Sequence, residues 1–458
     1  MVSRTLTLLG FAATAAVARG VAISGGDFGC EISGNCPIGR VQLPLSSLGG
    51  GDGEGQMNHF VNDDKLNMFR LPIGWQFLVN NQLGGPLNPN NFGRYDQVVQ
   101  KCLATGAYCM IDIHNFARWN GGIIGQGGPT DDQFVSLWTQ LAQKYKDNDK
   151  VVFELMNEPH DLDVKLWAAT CQKVVTAIRQ AGATSQMILL PGTNFNSAEF
   201  LVSSGSAEAL AAVTNPDGTT DGLIIDVHKY LDEDNSGTHK TCVSNNVESF
   251  RTVAEFLRAK GRKGLVSETG ASSDASCFTD FCAQNTFINQ NSDVFIGLVG
   301  WAAGSFGTDY VLSLTPKKSG NGYTDNELMK QCILETWNTE QNVTTPSTPS
   351  APPSTPALPP TTLAPTTRSK PAPVSPTVAP TLAPISSGEE GIMPPTTVLT
   401  IPTTLVVDPS TPTPPVPSGP RRNGTTTTAA PAGPTAAGSR VEVVGSLLGL
   451  CLMAALFT

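Results

Sequence analysis

Through the first two-thirds of the chain, apolar residues come in short runs separated by segments of helical spacing. The runs are Ala22-Ile23, Leu66 to Leu71, Ala107 to Ile113, Val151 to Met156, Met187 to Leu190, Leu223 to Val227, Gly264 to Val266 and Phe295 to Val299. Between several of them, Phe134 to Lys146, Leu166 to Ala181 and Val247 to Lys260 repeat apolar positions every three to four residues, the period of an amphipathic helix. Strands alternating with helices predict parallel strands joined by crossovers. Eight such runs predict an α/β fold of the (β/α)8 barrel type; a doubly wound open sheet is the competing architecture. The polar residues that close the runs separate the two. Arg70 stands near the end of the second run, Asp112 and His114 close the third, and Asn157 and Glu158 end the fourth. His228 and Tyr230 end the sixth, Glu268 the seventh and Trp301 the eighth. A closed barrel gathers the carboxyl ends of all its strands at one mouth, whereas an open sheet would string them along a line.

The pattern changes at both ends. Arg4, the apolar stretch Leu6 to Val17 and Ala16-Val17-Ala18 make a signal peptide over residues 1–18, since a buried helix would repeat a polar face that is missing here. The folded domain is expected over 19–340. From 341 to 438 Ser, Thr, Pro and Ala displace nearly everything else, and most of the 34 prolines fall there. Proline fixes φ and removes a donor, and such a tract offers little apolar surface to offset the entropy of ordering. It reads as a disordered, semi-rigid stalk suited to O-glycosylation, and Asn342-Val343-Thr344 and Asn423-Gly424-Thr425 are N-glycosylation sequons. Small residues Ala436 to Ser439, a short spacer and the apolar Val443 to Phe457 form the order of a glycosylphosphatidylinositol-anchor signal, with the tail at 439–458. A membrane-spanning helix would need a run of about 20 residues.

Composition narrows the ligand. Charged residues make up 15% and the formal net charge is −10, with no Lys/Arg cluster of the kind a nucleic-acid binder carries. An uncharged, polar substrate fits this balance. The ten cysteines include the close pairs Cys30/Cys36 and Cys102/Cys109 and a late group of Cys242, Cys277, Cys282 and Cys332. Their spacing does not suit zinc, and export permits disulfides. Cys171 lies in a helical segment and reads as a lone buried thiol.

Cleavage of a glycosidic bond with retention requires two carboxyl groups about 5–5.5 Å apart, one protonated and one ionised. Glu158 and Glu268 end the fourth and seventh runs, which face each other across a barrel. Pro159 stops the strand after Glu158, and the Asn157 amide can reach a sugar hydroxyl. Glu154 shares the inward parity of Met156 and Glu158 and reads as a barrel-interior ion pair, with a third catalytic carboxylate as the other option. His114 and His228 have no third metal ligand at suitable spacing, so neither a metal nor a cofactor is expected. Trp75, Trp119 and Trp301 lie in or just after strand ends, where an indole face can stack on a sugar; Trp138 and Trp167 fall in helical patterns and belong to the core.

These residues resemble a known family. The segments Asp27-Phe28-Gly29-Cys30, Met68-Phe69-Arg70-Leu71-Pro72-Ile73-Gly74-Trp75, Ile111-Asp112-Ile113-His114-Asn115, Ala117-Arg118-Trp119-Asn120-Gly121-Gly122, Asn157-Glu158-Pro159, Asp226-Val227-His228-Lys229-Tyr230, Ser267-Glu268-Thr269-Gly270 and Gly300-Trp301-Ala302-Ala303-Gly304 are similar to those of fungal-type endoglucanases of glycoside hydrolase family 5. The resemblance runs from Ile23 to Cys332. It implies a (β/α)8 barrel, retaining cleavage of internal β-1,4-glucosidic bonds, Glu158 as acid/base and Glu268 as nucleophile. By the same resemblance Arg70 and Tyr230 position the nucleophile, Asn157 holds the sugar 2-hydroxyl and His228 contacts the acid/base. His114 lines the −1 subsite and Trp301 stacks there. It further implies disulfides Cys30–Cys36, Cys102–Cys109, Cys242–Cys277 and Cys282–Cys332, with Cys171 free. Relatives often carry a cellulose-binding module on their linker; here the linker leads to the anchor signal instead. The expected protein is a monomeric, surface-tethered enzyme acting on a β-glucan. A related wall glycanase acting on β-1,3-glucan, xyloglucan or mannan, and a non-catalytic carbohydrate-binding surface protein, are the alternatives.

Overall fold

The computed structural model describes residues 17–338. The expected stalk, the expected anchor tail, both sequons and the expected signal segment before residue 17 lie outside that range. Eight parallel strands close into a barrel: β1 Ala18–Ser24, β2 Met68–Ile73, β3 Tyr108–Ile113, β4 Val151–Glu154, β5 Ile188–Leu190, β6 Leu223–His228, β7 Lys263–Thr269 and β8 Phe295–Gly304. Each neighbours the next in sequence, and β1 pairs with β8. The open sheet is thereby excluded. β1 starts at Ala18, the last residue of the expected signal segment, and Ala18 pairs with Gly297.

A helix follows every strand: α1 Gly53–Asn62, α2 Pro89–Ala104, α3 Asp131–Tyr145, α4 Val164–Gln180, α5 Ser206–Ala211, α6 Val247–Lys260, α7 Ala275–Gln290, and a final stretch, α8, made of Met329–Leu334 and Glu335–Asn338. Side chains with short polar groups start many of them. Asn88 caps α2, Thr130 and Gln133 form a reciprocal capping box on α3, and Asp163 and Asp274 cap α4 and α7, each supplying acceptors to otherwise orphaned backbone N–H groups. Trp138 and Trp167 are wholly buried between barrel and helices. Their indole N–H groups donate to the Leu155 and Pro191 carbonyls at 3.2 and 2.8 Å.

The two-residue period of a strand sorts the barrel's contents into layers. Met68, Met110, Val152, Leu189, Ile224, Leu265 and Val299 pack together as one apolar cluster in the barrel interior. Two residues farther along the same strands stand Arg70, Asp112, Glu154, Asp226, Ser267 and Trp301. The interior is therefore apolar below and polar above. The β6–β7 register steps from Val227 opposite Val266 to His228 opposite Glu268, leaving Ser267 as an extra residue. Such a bulge re-aims side chains, and here both Ser267 and Glu268 reach groups at the mouth.

Disulfides Cys30–Cys36, Cys102–Cys109, Cys242–Cys277 and Cys282–Cys332 staple the loops and helices, as the resemblance implied. Cys171 is free and buried.

Candidate active site

Arg70 is the centre of the polar layer. Wholly buried, it donates from Nε and Nη2 to Glu154 at 2.7 and 2.6 Å, and from Nη2 to Asn157 Oδ1 at 2.7 Å. Nη2 also stands 2.9 Å from Asp112 Oδ2, and Nη1 donates to Glu268 Oε2. A guanidinium is suited to this position because its planar fork can serve several acceptors at once without losing its charge. Glu154 is thus a partner in a buried ion pair, as its inward parity indicated.

Glu268 accepts a second hydrogen bond from the Tyr230 hydroxyl at 2.7 Å. Burial alone would raise its pKa, but Arg70, His228 and His114 together with the Tyr230 bond outweigh it and hold the carboxyl below its ordinary value. Glu158 shifts the other way. Burial, reinforced by the nearby Glu268 carboxylate, raises its pKa despite the hydrogen bond from His228. One carboxyl is therefore biased toward the charged form and its neighbour toward the protonated form. A carboxylate oxygen of Glu158 and one of Glu268 lie within 4.8 Å of each other.

His228 links the two strand ends. Its Nδ1 is 3.0 Å from Glu158 Oε1, and its Nε2 is 3.0 Å from Ser267 Oγ. Ser267 donates to Asp226, whose other oxygen accepts from Asn196 Nδ2 at 2.8 Å. Burial would lower the imidazole's pKa, yet the surrounding carboxylates, Glu268 first, push it up to about 9. Glu158, His228 and Glu268 lie close enough to share an ion. However, Glu268 already accepts from Arg70 and Tyr230, and both His228 nitrogens are engaged.

The backbone at Glu158 is unusual, with φ of 42°. A non-glycine residue in this left-handed region costs about 1–3 kcal/mol and persists only where its surroundings enforce it. From this position the Glu158 carboxyl meets His228. Asn157 Nδ2 is buried without a hydrogen-bond partner, a donor left free for an incoming acceptor.

His114 Nδ1 is 2.7 Å from Asp112 Oδ2, and the His114 ring stacks on Trp301 with centroids 5.7 Å apart. Trp301 donates to the Tyr310 hydroxyl at 3.1 Å. Trp301, His114, Asp27, Phe28, Arg40 and Phe306 are among the residues lining one open pocket. Trp119 is half-buried. Trp75 departs from expectation: it is 0% exposed, wedged edge-on against Trp119 at 5.2 Å and against Phe134. An indole with no free face cannot stack on a sugar, so Trp75 is a core residue behind the site. Ser267, Asn196, Tyr310 and Phe306 were not singled out from the sequence. Only Ser267 carried a signal, through its two-residue step from Leu265, and the bulge that aims both Ser267 and Glu268 is invisible to strand periodicity.

Comparison with known proteins agrees with this geometry. Residues 35–307 match the family model described as cellulase (glycosyl hydrolase family 5). The chain is 56% identical over 319 residues to endoglucanase EG-II of Hypocrea jecorina, covering 69% of this chain and 76% of that protein. It is 48% identical over 311 residues to endoglucanase 1 of Saitozyma flava, covering 68% and 86%. The crystal structure of Cel5A (EG2) from Hypocrea jecorina (Trichoderma reesei) superposes with a TM-score of 0.69 at 55% identity, over 70% of this chain and 99% of that one.

Proposed function

The chain belongs to the cellulase family, glycosyl hydrolase family 5, and from that premise we propose how it works: as a retaining endo-β-1,4-glucanase that cleaves cellulose or mixed-linkage β-glucan by double displacement. The observation that carries the reading is the approach of the Glu158 and Glu268 oxygens to within 4.8 Å. Inverting enzymes hold their carboxyls about 6.5–9.5 Å apart to admit a water, whereas the shorter spacing suits direct attack on the sugar.

In this reading Glu268, kept ionised by Arg70 and Tyr230, attacks the anomeric carbon while Glu158 protonates the leaving oxygen. The bond to the aglycone breaks and a glycosyl ester forms on Glu268. Glu158, now a carboxylate, takes a proton from water, which attacks the ester and returns Glu268 to its ionised form. His228 orients Glu158 and steadies its charge between the two steps. Asn157 offers its free amide to the 2-hydroxyl, His114 lines the −1 subsite, Trp301 stacks there, and Trp119 offers a platform farther out. Uniting both carboxylates with the substrate in one cleft removes the entropic cost of bringing them together.

Four disulfides and the signal-like N-terminus support export to an oxidising compartment. Residues 341–438 as a stalk and 439–458 as an anchor signal would tether a monomeric enzyme at its own cell surface by a lipid. The substrate assignment is tested by reducing-sugar release from carboxymethyl cellulose, lichenan, laminarin and mannan. Activity on the first two is expected; activity confined to laminarin or mannan would overturn it.

A further inference from the structure

A second cluster of ligand-type side chains lies outside the catalytic group. It sits between α1, the segment leading into β2, and the hairpin Lys317–Ser319/Gly322–Thr324. His59, on α1, has its ring stacked on Tyr323 at 5.3 Å. Its Nδ1 is 2.6 Å from Asp63 Oδ2. Its Nε2 stands 3.2 Å from both Asp325 oxygens and 3.4 Å from Asp64 Oδ2. The side chains of His59, Asp64 and Asp325 are only 6%, 9% and 7% exposed.

Hydrogen bonding does not satisfy this cluster. A single Nε2–H cannot serve both carboxylates, and Asp64 Oδ2 is buried with no hydrogen-bond partner. Two buried carboxylates thus face one imidazole. A buried, unpaired carboxylate is costly, and a cation is the simplest remedy.

We propose that His59, Asp64 and Asp325 form a binding site for a divalent first-row cation such as Mn2+ or Zn2+. Asp63 holds Nδ1, which fixes the tautomer that presents the Nε2 lone pair to the ion, the carboxylate–histidine–metal arrangement. The spacing of both carboxylates from His59 Nε2 fits as well. With metal–ligand bonds of about 2.1 Å, neighbouring ligands stand about 3.0 Å apart in an octahedron and about 3.4 Å apart in a tetrahedron. One imidazole with two carboxylates suits Mn2+ or Zn2+ better than an all-oxygen cage would. Asn58, Asn62, Asp63 and Tyr323 line an open surface cleft beside His59, giving an entry path. Bound there, the ion ties α1 and the start of β2 to the segment entering α8.

The test titrates MnCl2 into the purified full-length chain at pH 8 and follows loss of the free-ion electron paramagnetic resonance signal, with ZnCl2 as competitor. Uptake of one Mn2+ per chain, displaced by Zn2+, is expected, together with a rise in Tm. Asp64→Asn and Asp325→Asn should each weaken uptake at least tenfold and abolish the rise. Asp63→Asn should weaken uptake about tenfold, the scale of a lost supporting hydrogen bond. Glu268→Gln should leave uptake unchanged. An unaltered free-ion signal with the wild-type chain, full uptake by Asp64→Asn, or loss of uptake in Glu268→Gln would each overturn the proposal. Absence of wild-type uptake overturns the proposal even if a variant fails to fold.

Discussion

Replacing Arg70 with lysine keeps the charge and removes the fork. The guanidinium serves Glu154 through two hydrogen bonds, and also Asn157, Asp112 and Glu268. An ammonium has three donors radiating from one atom and cannot span those positions. At least two buried acceptors then lose their partner, at about 1–3 kcal/mol each and more for charged groups. Breaking a buried ion pair on one side costs about 3–5 kcal/mol. For a domain of roughly 320 residues the unfolding entropy near 60 °C is about 0.7 kcal/mol/K, so Tm should fall by about 4–7 °C. The shorter ammonium would also hold its charge farther from Glu268, weakening the strongest influence that keeps that pKa down. Because that pKa lies below the ordinary 4.5, the Arg70–Glu268 contribution is present above 4.5 and lost as pH falls through the folded-state value. The variant's deficit in Tm should therefore shrink in acid. Activity should drop about 10²–10³-fold, the scale of a lost electrostatic contact in an active site, and the acidic limb of its pH profile should move to higher pH. Scanning fluorimetry and initial rates on an aryl cellobioside from about pH 3 to 8 measure all three. A Tm within about 1 °C of wild type, with an unmoved acidic limb, would refute this role for Arg70.

Three further outcomes are expected. Glu158→Ala should lose activity on polysaccharide yet retain much of it on dinitrophenyl glycosides, which need no protonated leaving group, whereas Glu268→Ala should lose both; equal losses on every substrate would contradict the assigned roles. The wild-type rate should follow a bell centred on the acidic side, because Glu268 must be ionised and its pKa is lowered, while Glu158 must be protonated and its pKa is raised; a flat profile from about pH 4 to 9 would exclude two opposed carboxyls. Phosphatidylinositol-specific phospholipase should release active enzyme from intact cells, and truncation before Ala436 should send it to the medium with unchanged activity; no release by the lipase would point to a spanning helix instead.

The barrel was legible because its strands announce themselves. Each apolar run overlaps an observed strand, and the polar residues just beyond the runs lie where eight carboxyl ends meet. Helices α3, α4 and α6 were equally plain. Helix α7 was not, since its buried face mixes Cys277, Phe281 and Ile288 with Gln284, Asn285 and Asn289, whose amides bond Thr269 Oγ1 and the Cys332 and Thr336 carbonyls; the interspersed amides blur the apolar period. Helices α1 and α2 are likewise rich in Gly, Asn, Gln and charged residues. Trp75 was misread because adjacency to a strand end does not say which way a side chain turns, and this one turns into the space beside Phe134. The bulge at Ser267 escaped for a related reason: strand parity puts Glu268 on the wall, and only one inserted residue brings it to Arg70 and Tyr230.

The most direct measurement traps the covalent intermediate. A 2-deoxy-2-fluoro-cellobioside with a good leaving group slows the second displacement more than the first, so a glycosyl ester should accumulate, and mass spectrometry of a proteolytic digest identifies the residue that carries it. The expected result is stoichiometric inactivation with the added mass on the peptide containing Glu268, and no labelling of the Glu268→Gln variant. A label on any other residue, or an α-configured first product with no trapped ester, would contradict nucleophilic attack by Glu268.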